Sequence, residues 1–157
     1  MSVEKVKEYL KKFNAQDKVM IKDESCATVP LAAQTLGVEE ARIAKTMSFL
    51  INDQVILIVT AGDTKIDNAK YKKMFKIKAK MIPFEQTEEL TGHAAGGVCP
   101  FAVKKGVKIY LDESLKRFSS VFPAAGSHEA IMEVTMDELV LLSGSDSWID
   151  VAKIITE

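Results

Sequence analysis

The chain has 157 residues, 47% of them hydrophobic, and its 21 Lys and Arg nearly balance 22 Asp and Glu. That length supports one good core and excludes two, so a single domain spanning residues 1–157 is expected. Two cysteines, Cys26 and Cys99, exclude a disulfide framework and a zinc quartet, and the longest apolar run, residues 55–59, is too short to span a bilayer. A cytoplasmic protein without membrane contact, metal or cofactor is the expectation.

In chain order, Val3, Val6, Leu10 and Phe13 recur at helical spacing and predict an opening amphipathic helix. A short strand is predicted over residues 18–22. Thr28 as N-cap, Pro30 in the first turn and Gly37 as a stop delimit a second helix. Residues 38–45 read as another helical turn. Two strands follow, "TMSFLI" and "QVILIVTAG", joined by Asn52-Asp53, a good hairpin pair. The first alternates in polarity; the second is apolar throughout and should be central.

A surface helix over residues 68–76, anchored by Tyr71 and Phe75, is followed by a predicted strand "AKMIPF" and a short helix ending at Gly92. Residues 93–106, "HAAGGVCPFAVKKG", have neither helical nor strand period, and their small residues suggest a backbone shaped for a purpose. "VKIYLD" returns to strand, and Asp112 caps the helical turn after it. "VFPAAGS" and "AIMEV" read as a strand pair. Thr135 and Glu138 form a capping box for a last helix that stops at Gly144. Hairpins interrupted by irregularly placed helices predict a mixed α+β domain, mainly antiparallel, rather than a doubly wound parallel sheet.

Charge is segregated. Seven lysines and one acid lie between Lys65 and Lys80, a second basic group includes Lys104, Lys105 and Lys108, and the chain after residue 128 is acidic apart from Lys153. Such runs are most often solvated faces, but they also fit a polyanion.

Two segments could carry chemistry. Alternation places Lys45 on the same strand face as Met47, Phe49 and Ile51, where an ammonium is costly unless it snorkels to water or meets an anion. "GGVCP", residues 96–100, is either an ordinary surface loop or a display of backbone N–H groups for an oxyanion. It lacks the spacing of a nucleotide phosphate loop. Cys99 as a nucleophile would need His93 or His128 as an oriented base, and a small packing residue is the commoner role.

The order of these pieces, "ATVPLAAQTLG", "IAKT", "TGHAAGGVCPF", "PAAGS" and "WIDVAK", resembles the YbaK/ProX-type aminoacyl-tRNA deacylases, free-standing relatives of the editing domain of some prolyl-tRNA synthetases. The resemblance implies a barrel-like sheet with surrounding helices. It also implies hydrolysis of mischarged tRNA, with tRNA(Pro) carrying cysteine, alanine or another small amino acid as the expected substrate and a synthetase as a further partner. By the same resemblance Lys45, Gly96 and Gly97 are catalytic, while Thr46, Val98, Cys99, Pro100, Gly126 and Ser127 bind substrate. Where many members have serine before the loop proline, this chain has Cys99. Lys70, Lys72, Lys73, Lys104 and Lys105 are the candidates for tRNA contact. The alternative is a module that holds aminoacyl-tRNA or a nucleotide without turning it over.

Overall fold

The structure, a computed structural model, describes residues 2–145 and 147–155. Helix α1 (Ser2–Leu10) runs into a 3₁₀ turn, and strand β1 (Met20–Ile21) follows. Helix α2 (Val29–Leu36) starts where the Thr28 hydroxyl accepts from the Leu31 N–H and stops at Gly37, as its cap residues dictate. A 3₁₀ turn at Glu40–Arg42 is shorter than the helical turn expected, and β2 (Ile43–Ile51) takes over the rest of that segment. The hairpin partner is β3 (Gln54–Ala61), then β4 (Thr64–Ile66) and α3 (Asn68–Phe75). Helix α4 (Thr87–Thr91) precedes the irregular stretch; β5 (Lys108–Asp112), β6 (Ser120–Pro123), β7 (Ala130–Ile131) and β8 (Val134–Thr135) come after it. Helix α5 (Met136–Ser143), with the expected capping box, and β9 (Ser147–Ile149) and β10 (Ala152–Ile154) complete the order.

Six strands form one sheet in the order β8-β6-β2-β3-β5-β9, and β1-β7 and β4-β10 form two small antiparallel pairs. Among the described residues four of the seven pairings are antiparallel and three are parallel, which is the mixed, mainly antiparallel α+β class. The uniformly apolar β3 lies inside the sheet, between β2 and β5.

One segment differs from expectation. "AKMIPF" makes only a single bridge, Met81 to Phe49, with Leu50 N–H donating to the Lys80 carbonyl and Ile82 N–H to the Ser48 carbonyl. Pro83 has no N–H to continue that ladder, and a 3₁₀ turn begins at Phe84. "VFPAAGS" and "AIMEV" pair as expected: Val121 is in register with Val134, Ala124 bridges Ile131, Met132 N–H donates to the Pro123 carbonyl and Ala125 N–H to the Ala130 carbonyl.

Register explains how the sheet is covered. Ala44, Val59 and Ala61 point into a core with Val6, Leu10, Cys99, Phe101 and Leu139. On the opposite face Ile43 joins Ala32, Ala33, Phe122 and Ile131 under α2, and Met47, Phe49, Ile56 and Ile58 join Tyr71 under α3. Lys45 falls between those two clusters. The fully buried Asp112 carboxylate accepts from Ser114 N–H at 2.9 Å and from Val151 N–H at 2.8 Å, tying the turn after β5 to the C-terminal strands.

Candidate active site

The pairing of β2 makes an opening in the sheet. On the β6 side its register covers only Ile43 and Ala44, because Pro123 ends β6, and the chain rejoins only at Ser48 through Ile82. Ser48 and Leu50 turn their backbone groups to this edge, so by alternation Thr46 turns its N–H and C=O there too. A cavity of about 250 Å³ occupies the gap, lined by Lys45 and Thr46 from β2, Thr28 at the start of α2, Gly96 and Val98 from the irregular loop, and Phe122 from β6. The Thr46 hydroxyl is buried and has no partner among the described residues.

Lys45 is half-buried, and its ammonium donates to the carbonyl of Thr64, the first residue of β4 after the Gly62-Asp63 turn. Burial pushes its pKa below the ordinary lysine value, and the nearby Asp63 carboxylate partly opposes that shift. Asp63 is itself held by Arg117 through two bonds of 2.6 and 3.0 Å, and that guanidinium pulls its carboxyl below the usual range. The same turn passes against the Glu40 carbonyl, where a Cβ on Gly62 would lie 2.1 Å from the oxygen. Sequence reasoning missed Gly62, Asp63 and Arg117 as the support of Lys45; the turn signal "AGDT" after an apolar strand pointed to the turn but not to its contacts.

The glycine loop divides by alternation. Gly96 is exposed at φ 91°, and Val98 is partly exposed; both line the Lys45 cavity. Their N–H groups have no acceptor among the described residues. Gly97 is buried, its N–H donates to the Ala94 carbonyl at 3.0 Å, and a Cβ on it would sit 2.7 Å from Ser127 Cα and 2.9 Å from the Gly126 carbonyl carbon. Its N–H is thus taken within the loop, and its lack of a side chain permits close backbone approach. Gly126 and Ser127 line, with Gly97, a separate depression of about 640 Å³ on the other side of the loop, and so are not brought to the Lys45 cavity.

Cys99 and Pro100, expected as substrate contacts, are buried and line neither recess. The Cys99 thiol lies in the core, 3.6 Å from His93 Nε2, and burial pushes its pKa up to about 12. His93 Nε2 lies 2.7 Å from the Phe101 carbonyl, an acceptor, so that nitrogen carries the proton and cannot receive one from the thiol. A thiolate nucleophile is therefore disfavoured on geometry and on protonation.

Of the candidate tRNA lysines, Lys72, Lys73, Lys104 and Lys105 are exposed. Lys70 is not available in the same way. Its ammonium bonds Asp150 at 2.9 Å and the Ala152 carbonyl at 3.0 Å, fastening α3 to the C-terminal strands. Among the described residues no cluster of His, Cys, Asp and Glu could hold a metal ion, and no helix is long and apolar enough to cross a membrane.

The sequence and fold have counterparts. The chain is 48% identical to the uncharacterized protein YwhH of Bacillus subtilis, over 98% of each. It is 30% identical to the proline–tRNA ligase of Lactobacillus acidophilus over 71% of this chain and 20% of that enzyme. A crystal structure described as a candidate trans-editing enzyme for prolyl-tRNA synthetase superposes with a TM-score of 0.86 at 29% identity, over 97% of both chains. A second, of the hypothetical protein APE2540, gives 0.85 at 29% identity over 95% of this chain and 99% of that one. Residues 23–142, which carry both Lys45 and the glycine loop, match the model of the aminoacyl-tRNA editing domain, and the chain belongs to that family of aminoacyl-tRNA deacylases.

Proposed function

We propose that all 157 residues act as one free-standing editing unit in the cytoplasm, cleaving the ester between a small amino acid and the 3′-terminal ribose of mischarged tRNA(Pro). The observation that carries this reading is the convergence of Lys45, Thr46, Gly96 and Val98 on one cavity. At about 250 Å³ it is smaller than the roughly 300–1,000 Å³ of sites that enclose drug-sized ligands, which favours a small aminoacyl group. Apolar neighbours such as Phe122, Ile43 and Ile131 suit an uncharged side chain.

An aminoacyl ester is already activated, so the protein's work is to position it and to stabilise the charge that develops on its carbonyl oxygen. The free N–H groups of Gly96 and Val98 are the donors for that oxygen, and Gly97 lets the loop seat against Gly126 and Ser127. The Lys45 ammonium has three donors, of which Thr64 takes one, leaving two for the substrate. Thr46 adds its edge-facing N–H and C=O to the lining of the same cavity. No thiol nucleophile is needed; water or a group of the substrate attacks. Lys72, Lys73, Lys104 and Lys105 contact the acceptor-stem phosphates, and a prolyl-tRNA synthetase is the expected source of the mischarged tRNA.

A deacylation screen of the purified protein against tRNA(Pro) charged with proline, alanine or cysteine tests the reading. Turnover of a mischarged species with proline spared is expected. Inactivity on all mischarged species, with binding retained, overturns it in favour of a holding module.

A further inference from the structure

Phe84 is 78% exposed, more than any other large hydrophobic residue among those described, and Met81 beside it is 59% exposed. Neither exposure is explained by the fold. Their position is informative. The bridge Met81–Phe49 and the bond from Ile82 N–H to the Ser48 carbonyl set an antiparallel register along the free edge of β2. The same edge of β2 runs on from Ser48 to Thr46, which lines the cavity, and Phe84 follows two residues after Ile82. Pro83 ends the pairing there, so the ring is left on the surface instead of being drawn into the sheet.

The charges on either side differ in sign. Upstream lie the exposed Lys76, Lys78 and Lys80, and downstream the exposed Glu85, Glu88 and Glu89. An acid adjoining the ring repels phosphate and leaves an uncharged aromatic face as the useful surface. A flat apolar ring beside a cleft, with lysines on its other flank, suits unpaired nucleobases, which stack on aromatic side chains while their phosphates follow the basic groups.

Resting on the editing reading above, we infer that Phe84, with the exposed Met81 near it in the chain, is a stacking platform for the unpaired 3′-terminal bases of the tRNA acceptor, which lead from the β2 edge toward the cavity that takes the terminal ribose. The partner is single-stranded RNA rather than a protein.

The test uses an uncharged acceptor minihelix ending in single-stranded ACCA and the same duplex trimmed of those four nucleotides, with binding read by fluorescence anisotropy at fixed salt. Phe84→Ala should weaken binding of the ACCA-ended RNA by about 5- to 150-fold and leave the trimmed RNA unaffected, and Phe84→Tyr should restore it. Thermal unfolding of both variants checks that the fold is intact. Equal affinity of parent and Phe84→Ala, equal losses with both RNAs, or no binding of the ACCA-ended RNA by the parent each overturn the inference. So does a parent dimer that Phe84→Ala converts to monomer without changing RNA affinity, which would assign the ring to a protein interface. Because the RNA is uncharged, an inactive result in the deacylation screen leaves this outcome to be judged separately.

Discussion

The two sides of the loop at residues 96–100 differ in every respect that matters for chemistry. On one side Gly96 and Val98 are at least partly exposed, have N–H groups without an acceptor among the described residues, and line the cavity with Lys45. On the other, Gly97 and Cys99 are buried, one jammed against the backbone of Gly126 and Ser127 and the other among core side chains. One short motif thus separates access from anchorage by alternation. The reactive-looking atom, the thiol, lies on the sealed side, and the plain backbone amides lie on the open one.

Substitutions can break this division, and Lys45 should give the largest effect. If its ammonium supports charge in the transition state, Lys45→Met should lower kcat/KM for deacylation by about 10²–10³-fold. The melting temperature should hold or rise, because burial disfavours the charge that the variant removes. A large loss of both activity and stability would instead mark Lys45 as structural.

Gly97→Ala comes next. Its Cβ would meet Ser127 backbone at 2.7–2.8 Å, and backbone cannot swing aside as a side chain can. Destabilisation of about 1–3 kcal/mol in denaturant unfolding is expected, with activity lost as the loop shifts. Gly96→Ala should affect activity more than stability, since space is available beside Ala27 and the strain is confined to φ. Cys99→Ala, on the sealed side, should cost on the order of 1 kcal/mol of stability and leave kcat close to the parent's. Abolished turnover in a folded Cys99→Ala protein would revive the thiol mechanism.

The pH profile sharpens the same contrast. A cationic Lys45 with a depressed pKa is charged below that pKa and loses its charge as pH rises through it, short of the normal lysine value. Enzymatic deacylation, corrected for alkaline hydrolysis of the free ester, should therefore fall on the alkaline side. That fall should move to lower pH in Asp63→Asn, which removes the favourable carboxylate. His93 works through stability instead. Its folded pKa is depressed, so its contribution is present above the unfolded histidine value of about 6.5 and is lost as pH falls through the folded one. The smallest effect belongs to the exposed lysines: each of Lys72, Lys73, Lys104 and Lys105 changed to Gln should reduce the salt slope of tRNA binding by about 1.

Much of this was legible in the sequence where a local rule decides the outcome. Thr28 with Gly37, Thr135 with Glu138, and Asn52-Asp53 each act within a few residues, and the helices and hairpin they delimit form as expected. The placement of Lys45 between packed residues was likewise visible in strand alternation. Lost to sequence reasoning was everything set by distant partners. Alternation along the irregular loop could not be assigned without knowing that Gly126 and Ser127 back onto Gly97. Lys70 looked like its exposed neighbours until Asp150 and Ala152, 80 residues on, were seen to hold it. The residues "AKMIPF" have strand character, but Pro83, which has no N–H to donate, and the 3₁₀ turn after it limit them to one bridge.

The central claim is that the open side of the loop receives the ester carbonyl. It is tested most directly by NMR titration of the protein with alanyl-3′-amino-3′-deoxyadenosine, an amide-linked mimic that cannot be cleaved as an ester. The amides of Gly96 and Val98 and the side-chain signals of Lys45 should shift together with one saturation curve, while the Gly97 amide, bonded to Ala94, changes least. Perturbation centred on Gly97, Gly126 and Ser127, with Gly96, Val98 and Lys45 unmoved, would contradict it.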